Sequence, residues 1–405
     1  MAVPKLRFEG FCEEWIEAPL GDIYEFKNGL NKEKEAFGKG TPIINYMDVN
    51  KNTKIDYHEI KGKVELTNAE IERFIVKNND LFFTRTSESA EEIGLTCAYN
   101  GPNKPLVFSG FILKATPRKQ KVNSTFFAYY LRTGNLRNII IKHSSITTRA
   151  LTSGTLLSSL PINLPILDEQ NRIANLFMTF DKKIQLQQEK IDLLKEQKKG
   201  FMQKIFNQEL RFKNEEGQEF PKWTTNILTH FAVVNPKSEQ LSKEFRYIDL
   251  EAVVDGELLT TQVILKQNAP SRAQRVVGKG DILYQTVRPY QKNNLLYNHD
   301  FTEQVVASTG YAQIKAKENT DVAFLYQLMN TEKFTYHVLQ RCTGTSYPAI
   351  NSSDLGEIEV QMPVLKEQQK IASFLSKLDE KIASERNKLK ALHLQKQAFM
   401  QQMFI

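Results

Sequence analysis

Apolar residues recur at alternating steps of four and three along two segments of the 405-residue chain, offset from each other by 198 positions. One series runs Ile173, Phe177, Phe180, Ile184, Ile191, Leu194, Phe201, Ile205, and the other Ile371, Leu375, Leu378, Ile382, Leu389, Leu392, Phe399, Met403. A 3.5-residue spacing held over about four heptads is the pattern of a coiled-coil seam, so both segments are predicted as long helices. Polar residues interrupt both seams at the same two places, Gln187/Glu385 and Lys198/Lys396. Such breaks commonly fix register. Pro165 and Pro363 mark the helix entrances, with Asp168 as a predicted N-cap. A helix of ~38 residues is roughly 57 Å long. The simplest partner for each seam is the other seam, packed as an antiparallel pair. Packing on separate domains, or dimerisation, stays open.

The match between the two segments is a true repeat. Pro165-Ile-Leu-Asp-Glu-Gln-Asn-Arg-Ile-Ala174 aligns without gaps on Pro363-Val-Leu-Lys-Glu-Gln-Gln-Lys-Ile-Ala372, and the match ends at Phe206/Phe404. Upstream it is weaker: Leu6-Arg-Phe8 with Trp15 parallels Leu210-Arg-Phe212 with Trp223, Tyr46-Met-Asp48 parallels Tyr247-Ile-Asp249, and Gly110-Phe111 parallels Gly310-Tyr311. The sequence therefore predicts four parts: a block over 1–164, a helix over 165–207, a second block over 208–362 and a second helix over 363–405. Both blocks read as α/β (α+β) mixtures of short strands. Ile43-Ile44, Asp80–Thr84, Leu106–Lys114, Asp281–Tyr284 and Gly310–Lys315 have the content of strands; Ser124–Arg132 and Val322–Met329 have that of short helices. Asn78-Asn-Asp80 and Gly278-Lys-Gly-Asp281 are turn signals at equivalent places.

Composition narrows the class. With 41% hydrophobic and 25% charged residues, neither disorder nor a membrane protein is expected. The N-terminal residues lack an apolar h-region, so no secretory signal is expected. Cys12, Cys97 and Cys342 show no paired or metal-type spacing. The expectation is a cytoplasmic chain. The net charge of +7 is unevenly spread: +4 over 1–164, +2 over 165–207, −3 over 208–362 and +4 over 363–405. Between Glu92 and Asp168 there is no acid, yet Lys104, Lys114, Arg118, Lys119, Lys121, Arg132, Arg137, Lys142 and Arg149 lie there. In the second block Lys266, Arg272, Arg275, Lys279, Arg288 and Lys292 surround the single acid Asp281. A solvated face explains any one such run; two runs at matching places favour a polyanion reader with two contact regions.

Catalytic patterns are missing. Gly38-Lys-Gly40 and Gly278-Lys-Gly280 lack the spacing and the hydroxyl of a phosphate-binding loop. Asn235-Pro236-Lys237 falls short of a methyltransferase Asn/Asp-Pro-Pro-aromatic motif. Asp48 with Glu59-Ile60-Lys61 imitates a nuclease D…ExK spacing, but chance explains so short a pattern. The six histidines form no zinc-binding pair. The residues point to a binder with no metal site.

Two α/β blocks, each followed by a P-x-L-x-E-Q-x-x-I-A helix with a heptad seam, resemble the specificity subunit of type I restriction–modification systems. The resemblance spans essentially the whole chain and is most specific over Pro165–Ile184 and Pro363–Ile382. It implies two target recognition domains separated by two conserved helices in an antiparallel coiled coil, with internal pseudo-two-fold symmetry. It also implies a non-catalytic, cofactor-free chain that binds double-stranded DNA and two methylation subunits. Those subunits would hold S-adenosylmethionine and methylate adenine, and restriction subunits could join them. Base reading calls for Arg or Lys at guanine and Asn or Gln at adenine, and phosphate contacts can come from Lys, Arg, Ser, Thr, Tyr and backbone amides. Candidates in the first block are Lys27, Asn28, Thr84, Arg85, Thr86, Ser87 and the loop from Ser144 carrying Thr147, Thr148 and Arg149. In the second they are Thr286, Arg288, Tyr290, Gln291 and Lys292, then Arg341, Thr343, Thr345, Ser346 and Tyr347. Two other readings remain: a self-sufficient nuclease or methyltransferase, and a coiled-coil scaffold that binds only proteins.

Overall fold

The computed structural model describes residues 3–118, 122–146 and 149–405. The chain divides into two units, Met1–Gln188 with Asn387–Ile405, and Glu189–Arg386. Each unit contains one α/β lobe and about half of each of two long helices, the central helix Leu167–Phe206 and the C-terminal helix Leu365–Met403.

The first unit is built on a five-stranded sheet. Its order is Tyr24–Asn28, Ile112–Pro117, Leu81–Thr84, Thr96–Tyr99, Lys54–Ile55, antiparallel except for the last pair. A second sheet pairs Phe37–Ile44 in parallel with Val107–Phe108 and antiparallel with Lys63–Val64. The run expected as one strand over Leu106–Lys114 is thus divided between two sheets, because the chain turns at Ser109-Gly110. The second unit repeats this plan. Ala232–Val234, Tyr311–Ala316, Ile282–Gln285 and Leu295–Leu296 form a four-stranded antiparallel sheet in the equivalent order. Glu244–Ile248 again pairs in parallel with its partner, Val305–Ser308. The two turn signals also agree. Asn79 (φ +70°) and Gly280 (φ +88°) both adopt left-handed backbone one residue before Asp80 and Asp281. Each following aspartate then accepts an N–H of the same turn, from Lys77 and from Gly278.

The repeated motif is a set of brackets at the helix entrances. In the first unit Glu169 is buried and accepts from Arg7 Nε and Nη2 at 2.8 and 2.7 Å and from Trp15 Nε1 at 3.1 Å. In the second, buried Glu367 accepts from Arg211 at 3.1 and 2.7 Å. The adjacent glutamines act as staples. Gln170 donates to Pro165 O and accepts from Asn123 N, both at 2.9 Å; Gln368 does the same with Pro363 O and Asp321 N at 2.8 Å. Leu-Arg-Phe and the E-Q pair thus recur together because each holds the other. Asp168 is not the N-cap expected of it: the helix begins at Leu167, so Asp168 lies within the first turn, where its charge suits the positive end of the helix dipole.

Within each unit the long helices run antiparallel. In the first, Phe180 meets Phe399 at 5.5 Å, Phe177 stacks on Phe404 at 5.4 Å, and Lys396 pairs with Asp181 at 2.5 Å. In the second, Phe201 meets Phe374 at 5.1 Å and Lys198 pairs with Asp379 at 2.6 Å. The seam breaks at Lys198 and Lys396 are therefore matched to Asp379 and Asp181, which are themselves repeat equivalents. Glu385, also buried, pairs with Lys190 at 3.0 Å. Ile173, Phe177, Phe180, Ile191, Leu194, Ile371, Leu375 and Ile382 are buried. Ile184, Leu378, Leu389 and Leu392 are half-buried. The aromatic short helix Ser124–Tyr130 packs its Phe126 and Tyr130 on Phe404 and its Tyr129 on Phe177, while Val322–Met329 places Phe324 against Phe206. Apolar burial at these junctions, roughly 25 cal/mol per Å², is what holds each lobe to its helices.

Candidate nucleic-acid interface

In each unit the structure brings together two loops that are far apart in sequence. In the first, Thr86–Ser87 pairs antiparallel with Ala150–Leu151, which pairs with Ser145–Ile146, and Thr152 N donates to Arg85 O at 3.0 Å. In the second, Val287 and Thr343 both bridge to Ala349, and Ile350 N donates to Thr286 O at 3.1 Å. Both junctions adjoin the end of the central sheet strand, Leu81–Thr84 or Ile282–Gln285. Asn28 stands at the same sheet end, opposite Leu113, which itself faces Phe83.

Not every candidate presents its side chain there. Thr84 is fully buried; its hydroxyl donates to Glu92 O and accepts from Leu95 N. Ser87 is buried and bonded to Tyr46 and Glu92. Thr286 is buried and donates to Gly310 O at 2.8 Å. These three hydroxyls are buried and hold the strand ends together, unlike the exposed candidates. Lys27 is exposed, but its ammonium donates to Arg73 O. Thr147 and Thr148 lie outside the described residues. Arg85 and Thr86 are half-buried, and Arg85 Nη1 donates to Gly110 O at 3.3 Å. Arg149 is 58% exposed, with Glu88 at 3.8 Å.

The second unit's edge is richer. Tyr290, Gln291, Arg341, Thr343, Thr345, Ser346 and Tyr347 are all exposed. Arg341 Nη1 donates to His337 O, and Lys292 is paired with Glu332 at 3.1 Å. Arg288 lies over the Tyr347 ring, its guanidinium carbon 4.2 Å from the centroid.

The acid-free basic stretch divides: Lys104, Arg118, Lys142 and Arg149 are exposed, Lys114, Arg132 and Arg137 turn inward, and Lys119 and Lys121 lie outside the described residues. Arg132 donates to the carbonyls of Thr96, Val49 and Asn52, Arg137 to those of Ile93 and Glu91, and Arg118 to that of Gly21. Burial pushes the Arg137 guanidinium down to about 10. Lys114 is buried beside Asp80 at 3.4 Å; burial lowers its pKa and raises that of Asp80. Arg132 and Arg137 thus fill the hydrogen-bonding capacity of loop carbonyls. In the second block, Lys279 pairs with Asp300 and Arg275 donates to Tyr311 O, whereas Lys266 and Arg272 are exposed. The nuclease-like spacing also dissolves into structure: Asp48 accepts Asn45 N and Glu59 accepts Asp56 N, each closing a capping box. Among the described residues no group of three or more His, Cys, Asp or Glu could hold a metal ion, and no helix is long and apolar enough to cross a membrane.

Sequence reading passed over several neighbours of these edges. Phe111 is 55% exposed beside Arg85, whose N–H donates to Phe111 O. It entered only as a repeat marker, and its counterpart Tyr311 is buried. Glu92 accepts from Tyr46 and Ser87, and the Tyr46 hydroxyl holds its carboxyl below the ordinary range. A search for cations could not find it.

Each unit thus joins an α/β lobe to half of each long helix, which defines a protein of two repeated units. The chain matches the type I restriction modification DNA specificity domain over residues 12–196 and 264–394 and belongs to that family, whose role is recognition of DNA sequence. A protein of Methanocaldococcus jannaschii named as the specificity subunit of the type I restriction enzyme MjaX is 27% identical over 406 residues, covering 96% of this chain and 92% of that one. The MjaVIII specificity subunit of the same organism is 25% identical, with 96% and 91% covered. The fold is shared with the crystal structure of the type I S subunit from M. genitalium, at a TM-score of 0.60 and 15% identity, covering 100% and 99% of the two chains.

Proposed function

We propose that this chain is the DNA-reading subunit of a type I restriction–modification complex, with each unit reading one half of a bipartite duplex target. The observation that carries the proposal is the repeated edge: at equivalent places, two remote loops close beside the end of the central strand, presenting different side chains. Equal frameworks with unequal donors suit two different half-sites. The proposal extends to two methylation subunits docking on the long helices, with S-adenosylmethionine held by those subunits, and to restriction subunits joining the assembly in the cytoplasm. This chain supplies sequence recognition and no reacting group of its own; the side chains that imitate catalytic spacing, Asp48 and Glu59, are engaged in capping. The test is methylation of random-sequence DNA by the purified chain, by its methylation partner, and by both together. Adenine methylation at a fixed bipartite sequence only in the mixture is the expected result. Methyl transfer by the chain alone, or sequence choice by the partner alone, contradicts the proposal.

A further inference from the structure

We propose that Arg288, packed over the Tyr347 ring, reads a guanine in the half-site bound by the second unit. The inference deepens the proposed function and rests on it.

The loop that carries Arg288 is unusually well fixed. Arg288 itself has left-handed backbone (φ +54°, ψ +54°), as does Lys292 (φ +55°), a conformation that side-chain-bearing residues adopt at a cost. Three contacts hold it there. Arg288 N donates to Pro348 O at 2.7 Å, and Val287 bridges to Ala349. From beneath, the buried Gln285 donates through Nε2 to Val287 O and to Gln291 Oε1, both at 2.8 Å. The facing turn is shaped by Gly344 (φ +89°), where an added Cβ would stand 3.1 Å from Tyr347 O. Backbone strain of this kind persists where surrounding structure over-determines it, and it concentrates at ligand-binding positions.

The side chain is fixed as firmly, yet its donors are unused. The guanidinium carbon lies 4.2 Å from the Tyr347 ring centroid, a cation–π contact. Nε is buried without a hydrogen-bond partner, and among the described residues no ion pair engages the group. Lys292 and Arg341, its neighbours at this edge, are committed to Glu332 and to His337 O. With Nε enclosed, the terminal Nη1/Nη2 fork is what remains for a ligand. An end-on fork of two N–H donors matches the O6 and N7 acceptors of guanine in the major groove, and no other base offers two acceptors there. A phosphate can also take an arginine fork, but such a contact carries no base preference and is told apart by its salt dependence. Tyr347 is 65% exposed and acts as a positioning residue. Among the described residues the corresponding edge of the first unit holds no such pair: Arg85 is tied to Gly110 O.

The experiment uses the assembled complex of this chain with its methylation partner and reads methylation rates on a library randomised across the target. The half-site that changes when residues 208–362 are exchanged is assigned to the second unit. At one guanine of that half-site the unaltered complex should discriminate about 10- to 100-fold against the other bases. Arg288→Lys should reduce that preference to a few-fold while every other position, and the other half-site, keeps its preference. Tyr347→Leu should relax the same position alone, and Tyr347→Phe should restore it. DNA carrying 7-deazaguanine at that position lacks the N7 acceptor; it should slow the unaltered complex but not the Arg288→Lys complex, and the first arm needs no protein variant to fold. The proposal is overturned by a half-site without guanine, or by unchanged preference in Arg288→Lys. It is equally overturned by a uniform loss across all sequences with a salt dependence lowered by about one phosphate, which would mark a backbone contact. If the unaltered complex shows no sequence-dependent modification, the proposed function itself fails; a retained bipartite target with no Arg288-dependent guanine removes only the pair.

Discussion

At the residue scale, the repeat sorts side chains into those that build the entrance brackets and those that differ between units. Glu367 is fully buried with Arg211 as its cationic partner, so Arg211→Ala leaves a buried charge unpaired and should destabilise the second unit by about 3 kcal/mol. Hydrogen exchange in full-length protein would register this as faster exchange around the entrance of the C-terminal helix, and unchanged protection would contradict it. The two tryptophans offer a cleaner comparison. Trp15 Nε1 donates to Glu169, whereas Trp223 Nε1 is buried without a partner. Trp15→Phe should therefore cost about 2 kcal/mol, as for a hydrogen bond to a charged group, and Trp223→Phe should be close to neutral. Equal losses in denaturant melts would refute the assignment. The same scale shows where sequence reading ended. Leu-Arg-Phe and P-x-L-x-E-Q were visible as repeated words, but their mutual bond, Arg7 to Glu169 across 162 positions, was not. Hydroxyls at the strand ends looked like base readers because composition does not distinguish Thr84, which closes a turn inside the lobe, from Thr345, which faces solvent.

At the element scale, the long helices were the most legible part of the chain, since a seam kept over many turns overrides local ambiguity. The short strands were less so: parallel pairing of Phe37–Ile44 with Val107–Phe108 depends on a crossover that periodicity does not record. The hairpin Val253–Val254/Glu257–Leu258 was not foreseen at all. It grips both helices of the second unit, through Asp255 with Lys195 and Arg386 at 2.9 Å each and Glu257 with Arg386 at 2.6 Å. The hydrogen bond from Lys195 holds the Asp255 carboxyl below its usual range. A depressed carboxylate pKa contributes stability above the unfolded value of about 4 that is lost as pH falls through the folded value. Amides 253–258 should accordingly exchange faster near pH 3 than at pH 7 after correction for intrinsic rates, and faster in high salt; pH-independent protection would show that packing alone secures the hairpin. A further expectation concerns helix length. Adding one heptad after both Gln187 and Glu385 keeps the seam in phase and adds about 10 Å of helix. The unread gap between half-sites should then grow by roughly three base pairs at 3.4 Å each, with the half-sites themselves unchanged. An unchanged gap in a normally assembled complex would assign spacing to the partner subunits.

At the scale of the whole molecule, duplication explains why one chain can carry two readings. The bracket glutamates, the staples and the helix ion pairs recur at an offset of 198, whereas the edges diverge: Arg85, Thr86 and Phe111 in one unit, Arg288, Tyr290 and Tyr347 in the other. A conserved framework with variable edges predicts modularity, and the measurement that tests this most directly is a block exchange. Residues 208–362 are replaced by the same block of a relative, the chain is assembled with its methylation partner, and methylated adenines are mapped across random DNA. The account predicts a target in which one half changes to that of the donor and the other half stays as it was. A change in both halves, or in neither, would contradict it.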